Sequence, residues 1–257
     1  MRDQPGTTRP TVHVFPDLDT LSRAVAAEVV TRARQAIETQ GRFLLVLSGG
    51  TTPRRLYRLL GGEFRDRIPW EQVRLFWGDE RYVPPDRPQS NYRMVKEALL
   101  EHAPIPAMNI HPMRTDHVHP EEAARAYEEE LRMHISPTSR FDLVLLGLAS
   151  DGHTASLFPG SRALDEASRW VVPVRVPAEP PQRLTLTFPA LNRAEQVFFL
   201  AAGLAKAGAL HRALVGTSDV HLAPATGVRP ASGSVTWWVD NTAASMLPPA
   251  LRSPLPT

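Results

Sequence analysis

The chain contains no cysteine, which excludes a disulfide framework, a thiolate metal site and a thiol nucleophile. That absence fits a reducing compartment, with the cytoplasm as the default expectation. Long apolar runs are missing as well: none approaches the ~18 residues that a membrane-spanning helix needs. The first ten residues are polar and lack the apolar segment of an export signal, so 1–10 is expected to be a disordered tail. A surplus of one charge sign is also lacking. The formal net charge is +2, so neither a nucleic-acid partner nor a membrane partner is implied. Lysine is scarce, because Lys96 and Lys206 are the only lysines among 29 basic residues. A site that keeps lysine against this bias draws notice.

What is present suits one α/β domain over 11–257: the 257 residues are 42% apolar and 22% charged. Val12 to Phe15 predicts a first strand. Asp17 or Asp19 can cap a helix whose apolar residues Leu18, Leu21, Val25, Val29, Ala33 and Ile37 recur at spacings of three and four. Phe43 to Leu47 is wholly apolar and flanked by glycines, as a parallel strand covered on both faces should be. Val73 to Trp77, Leu143 to Leu146 and Val197 to Ala201 repeat that pattern, with helical stretches at 91–100, 120–134 and 203–215. Trp170 to Val176, Arg183 to Phe188 and Ser234 to Val239 add strands, the second alternating as a pocket-lining strand would. The expected fold is a doubly wound, mostly parallel sheet with helices on both faces.

In such sheets ligands bind beyond the carboxyl ends of the strands, so the loops there are the places to search. After Leu47 comes Ser48-Gly49-Gly50-Thr51-Thr52-Pro53. Its glycines allow close backbone approach, and Thr52 is expected to cap a helix starting at Pro53, whose free amides suit a phosphate. A tight, well-capped turn would explain the same residues. After Trp77, Gly78-Asp79-Glu80-Arg81-Tyr82-Val83-Pro84 and then Ser90-Asn91 place carboxylates, an amide and a guanidinium where they can hold hydroxyls and a phosphate or carboxylate. After Leu146, Asp151-Gly152-His153 sets an imidazole behind a carboxylate and a glycine, a general-base arrangement. After Ala201, Lys206 lies in the first turn of a helix, where the macrodipole disfavours a cation and a bound phosphate would compensate; Arg183 is a second cation.

Together these segments resemble the 6-phosphogluconolactonase family, which shares its fold with the glucosamine-6-phosphate deaminases. Ser48-Gly49-Gly50-Thr51, Gly78 to Pro84 with Ser90-Asn91, Asp151-Gly152-His153-Thr154-Ala155-Ser156-Leu157-Phe158-Pro159, Arg183-Leu184-Thr185-Leu186-Thr187 and Lys206-Ala207 occur in the family's order across nearly the whole chain. The continuation Thr-Ala-Ser-Leu-Phe-Pro after His153 is similar to the lactonase branch; the deaminases continue Ile-Ala-Phe-Asn-Glu-Pro. Ala149, Ser150 and Thr51-Thr52 depart from the family's usual residues and leave the loop paths open.

The resemblance implies hydrolysis of 6-phospho-D-glucono-1,5-lactone in the oxidative pentose phosphate route. His153 would be the base, with Asp151 in support. Gly49, Gly50, Thr51, Arg183 and Lys206 would grip the phosphate, while Asp79, Arg81 and Asn91 would contact other parts of the substrate. No cofactor is implied, the partner is a small sugar-phosphate lactone, and the chain is expected to act as a monomer or small homo-oligomer. No Gly-x-Ser-x-Gly elbow, three-glycine dinucleotide loop or His-Glu-x-x-His spacing occurs, so a serine triad, a dinucleotide site and a metal are not expected. Deaminase activity on the same fold and a non-catalytic sugar-phosphate sensor are the alternatives.

Overall fold

The structure, a computed structural model, describes residues 11–117, 119–135, 139–216 and 219–252; the expected tail at 1–10 lies outside the described residues. Among the described residues ten strands run in chain order: β1 (Thr11–Phe15), β2 (Phe43–Leu47), β3 (Val73–Trp77), β4 (Asp79–Arg81), β5 (Ile110–His111), β6 (Phe141–Gly147), β7 (Val171–Arg175), β8 (Gln182–Leu186), β9 (Ala194–Ala201) and β10 (Ser234–Asp240). The α-helices are α1 (Leu18–Gln40), α2 (Thr51–Gly61), α3 (Asn91–Val95), α4 (Pro120–His134), α5 (Phe188–Leu191) and α6 (Ala207–His211).

Seven strands form a parallel sheet in the order β1-β10-β9-β6-β2-β3-β5. From the centre, β2 is followed outward by β3 and β5, whereas β6 is followed the other way by β9 and β10. The strand order therefore reverses between β2 and β6. Loops leaving these two strands diverge there and open a crevice at their carboxyl ends. Both strands are almost wholly buried, which is why Phe43–Leu47 and Leu143–Leu146 are continuous apolar runs.

Helix α1 begins at the Asp17 capping box, where the carboxylate accepts from Thr20 N at 2.8 Å, and ends at Gly41 in the left-handed region with φ 74°. Its buried stripe of Leu21, Val25, Val29 and Ala33 follows the predicted period and joins the core. The helical stretch at 91–100 is a short α3 followed by a π-type turn. The stretch at 203–215 is likewise divided: a 3-10 turn, α6 and a wider turn. No helix among the described residues is long and apolar enough to cross a membrane.

Two expectations change. The strands at 171–175 and 182–186 do not extend the parallel sheet; with β4, they form a separate antiparallel sheet of order β4-β8-β7. The Asp79–Arg81 segment, expected as loop, is the third strand of that sheet. The reason is the alternation in β8: Leu184 and Leu186 alternate with Arg183 and Thr185, giving one apolar and one polar face, both buried. Such a strand cannot occupy a sheet interior that is apolar on both sides. It suits a small sheet set beside the crevice.

Candidate active site

A cavity of about 170 Å³ sits at the reversal point. It is lined from β2's loop by Ser48 to Pro53, from β4 and β8 by Asp79, Arg81 and Arg183, from β6's loop by His153, and from β9's loop by Lys206. The four strand-end loops singled out from the sequence thus converge on one volume.

The β2 loop turns two residues earlier than its sequence suggests. Gly50 has φ 104°, a conformation an L side chain rarely adopts, and α2 starts at Thr51 rather than at Pro53. No side chain among the described residues caps this end, so the first amides of α2 remain free donors at the cavity wall. Pro53, the third helical residue, lacks an N–H that would have had no helical partner there anyway. Tyr57, one turn further on, fixes the start of the loop: its hydroxyl accepts from Ser48 N and donates to Ser48 O, both at 2.8 Å.

The β6 loop is stapled by its own backbone. Ala149 N donates to His153 O and Gly152 N to Ala149 O, each at 3.0 Å, while Thr154 Oγ1 donates to Gly147 O at 2.9 Å. Gly152 has φ 98°, which bends the chain so that Asp151 can reach the next residue but one. These bonds use the backbone of Ala149 and put no demand on its side chain, so the departure at this position leaves the loop intact. Asp151 Oδ1 accepts from His153 N at 3.0 Å and lies 2.8 Å from His153 Nδ1. Partial burial pushes the Asp151 carboxyl up, but the bonds from His153 outweigh that and hold it below the ordinary value. An ionised Asp151 fixes the proton on Nδ1, and Nε2 then carries the lone pair. The ring stacks on Phe158 with centroids 3.8 Å apart.

Arg183 is buried, and its guanidinium carbon lies 5.5 Å from the centre of the same Phe158 ring. Its only protein acceptor among the described residues is Pro180 O, reached by Nε at 3.2 Å. Arg81 stands directly across from it in the β4–β8 pair and donates to Gln89 O at 2.6 Å. Burial lowers the pKa of both Arg183 and Lys206; Asp79 offsets part of this for the first and Asp151 for the second. These cations are partly stripped of water without a carboxylate bound to them, and an anion in the cavity would restore what burial removed.

Eight of the ten site residues expected from the sequence line the cavity: Gly49, Gly50, Thr51, Asp79, Arg81, His153, Arg183 and Lys206. Asp151 and Asn91 do not. Asp151 stands behind His153, against its Nδ1. Asn91 is buried and donates to Asp79 O at 2.9 Å, while its Oδ1 lies so close to the β2 loop that a Cβ on Gly49 would come within 2.0 Å of it. Gly49 is therefore required by Asn91's approach, and Asn91 ties β4 to the β2 loop.

Sequence reasoning missed two further residues. Ser156 Oγ, fully buried, donates to Asp79 Oδ2 at 2.7 Å and orients that carboxylate. Glu80, grouped with Asp79 as an acidic pair, is buried and faces α3: it accepts from Asn91 N, Tyr92 N and Arg81 N at 2.7 Å and from Ser90 Oγ at 3.1 Å. Burial pushes it up to about 7 against the pull of those backbone donors. It secures the start of the helix that holds Asn91. An acid followed ten residues later by Ser-Asn is the only trace of this in the sequence.

The family described as glucosamine-6-phosphate isomerases/6-phosphogluconolactonase matches residues 16–237. A 6-phosphogluconolactonase of Synechocystis is 41% identical over 93% of this chain and 99% of its own length, and that of Mycobacterium tuberculosis is 38% identical over 92% and 98%. Among solved structures, 6-phosphogluconolactonase from Trypanosoma brucei superposes with a TM-score of 0.80 at 31% identity, covering 94% of this chain and all of that one. A monomeric glucosamine-6-phosphate deaminase, 20% identical with a TM-score of 0.76, shares the fold. The chain belongs to the glucosamine-6-phosphate isomerase/6-phosphogluconolactonase family.

Proposed function

We propose that this chain hydrolyses 6-phospho-D-glucono-1,5-lactone to 6-phospho-D-gluconate, the second step of the oxidative pentose phosphate route. The observation that carries this reading is a histidine whose Nδ1 is held by a carboxylate, in one cavity with two partly desolvated cations and an uncapped helix end. The lactonases among the relatives and solved structures support it.

Neutral His153 presents Nε2 to a water, takes one proton as the water oxygen bonds to C1, and is held as imidazolium by Asp151. The tetrahedral intermediate collapses by breaking the bond from C1 to the ring oxygen, which receives the proton from Nε2. The new carboxylic acid then ionises and releases one proton to solvent. The lactone carbonyl is already electrophilic, so no cofactor is needed for this sequence.

Arg183, Lys206 and the amides at Gly49 to Thr51 hold the phosphate, and this remote grip places C1 beside the water. Arg81 takes a phosphate or carboxylate oxygen, and Asp79, oriented by Ser156 and Asn91, accepts from a sugar hydroxyl. Residues 11–257 act as one catalytic domain in the cytoplasm, as a monomer or small homo-oligomer.

The test is a pH-stat assay on freshly prepared lactone. Proton release well above the spontaneous rate supports the reading; its absence, or steady ammonia release from glucosamine 6-phosphate, overturns it.

A further inference from the structure

We propose that His111, Glu130 and His134 bind a divalent transition-metal ion of the zinc class at the β5 edge of the sheet, apart from the catalytic cavity. Glu130 and His134 are four residues apart on α4 and so share one helix face. His111 comes from β5, where it pairs with Phe76 of β3. One nitrogen from each ring and one carboxylate oxygen all lie within 4.8 Å of one another.

His111 carries the strongest indication. Its side chain is 9% exposed; Nδ1 lies 2.8 Å from Glu130 Oε1, and Nε2 is buried without a hydrogen-bond partner among the described residues. A buried ring nitrogen left unpaired costs about 1–3 kcal/mol, and native folds rarely tolerate it without a purpose. The ring is clamped between Phe76, at 4.9 Å and 13° to it, and His134, at 4.3 Å between centroids. It cannot swing out to find water.

Two imidazoles and a carboxylate are a donor set suited to zinc-like ions, and the carboxylate–imidazole contact recurs around metal-bound histidines. A tetrahedral ion with bonds of roughly 2.0–2.1 Å spaces its ligand atoms about 3.4 Å apart, so a pair at the 4.8 Å limit must close by about 1.4 Å. Glu130 is half-buried and His134 ends its helix, so both have room to move. Arg74 opposes binding: its Nη1 lies 2.9 Å from His134 Nδ1 and donates to that nitrogen's lone pair. An ion displaces it and takes over the lone pair.

The ion would brace a weak edge. β5 is two residues long, and α4 already ties it to β3 through Tyr127, whose hydroxyl contacts the backbone of both Trp77 and His111. The proposal does not rest on the lactonase reading.

The full chain, stripped with a chelator, is titrated with zinc by calorimetry and with cobalt by visible absorption. The expected result is one ion per chain, with affinity at least tenfold weaker in His134→Gln and Glu130→Gln and several-fold tighter in Arg74→Gln. Zinc at a hundred times its Kd should raise Tm by roughly 5–10 °C in the unaltered chain, and should not do so in His134→Gln. The rate of lactone hydrolysis stays unchanged by occupancy. Absence of stoichiometric binding overturns the proposal. So does binding as tight in His134→Gln and Glu130→Gln as in the unaltered chain, or binding lost in His153→Ala instead.

Discussion

Arg81 and Arg183 face each other as directly paired residues of β4 and β8, and both line the catalytic cavity. Like charges in that position repel unless an anion lies between or beside them. Arg183→Gln should therefore raise KM for the lactone about 10–100-fold, the worth of one charge-assisted hydrogen bond of about 1.5–3 kcal/mol, with a smaller effect on kcat. Steady-state kinetics checks this. A loss confined to kcat would instead assign Arg183 to the reacting carbonyl.

Asp151→Asn should keep the fold and lower kcat at least tenfold. The amide cannot stabilise the imidazolium, and it can turn its NH2 toward Nδ1, which favours the tautomer with the proton on Nε2. KM should change little, because Asp151 does not line the cavity. Comparing kcat and KM separately distinguishes this positioning role from a direct substrate contact.

Glu80→Gln should destabilise the chain by about 2–3 kcal/mol. Both carboxylate oxygens of Glu80 accept only from N–H and O–H donors. An amide NH2 in place of one oxygen would confront donors, leaving buried groups unpaired. Urea denaturation measures the loss. Asn91 depends on the same helix start, so activity should fall alongside stability.

Asp142 gives stability a pH dependence of definite sign. It is buried on β6, accepts from Leu44 N at 2.6 Å, and burial pushes its pKa up to about 6. The ordinary carboxylate value is near 3.8, so between pH 4 and 6 the folded state binds more proton than the unfolded one. This group's stabilising contribution is complete below pH 4 and is lost as pH rises through 6, on the order of 3 kcal/mol. Asp142→Asn should flatten that part of a plot of Tm against pH.

The buried parallel strands were legible because burial on both faces leaves an unbroken apolar run: Phe43–Leu47 and Val73–Trp77 match their observed bounds. The strand-end rule then found the cavity, since a parallel sheet gathers its outgoing loops on one side. Pairing partners were not legible. β8 has a strand's alternation, but nothing in it says that Arg183 will lie opposite Arg81 in a second sheet. Side-chain contacts between elements were equally hidden: Ser156 on Asp79 of β4, Tyr57 of α2 on Ser48 and Asn91 of α3 beside Gly49. The His111, Glu130 and His134 cluster escaped for the same reason. Glu130 and His134 share a helix face, but their third partner comes from a strand outside that helix.

Activation of the attacking water by His153 is tested by kcat of His153→Ala on fresh lactone beside the unaltered chain. Turnover should fall at least a hundredfold while 6-phosphogluconate binds within a few-fold of its original affinity, since the phosphate grip is intact. Unchanged turnover in His153→Ala would contradict that role of His153.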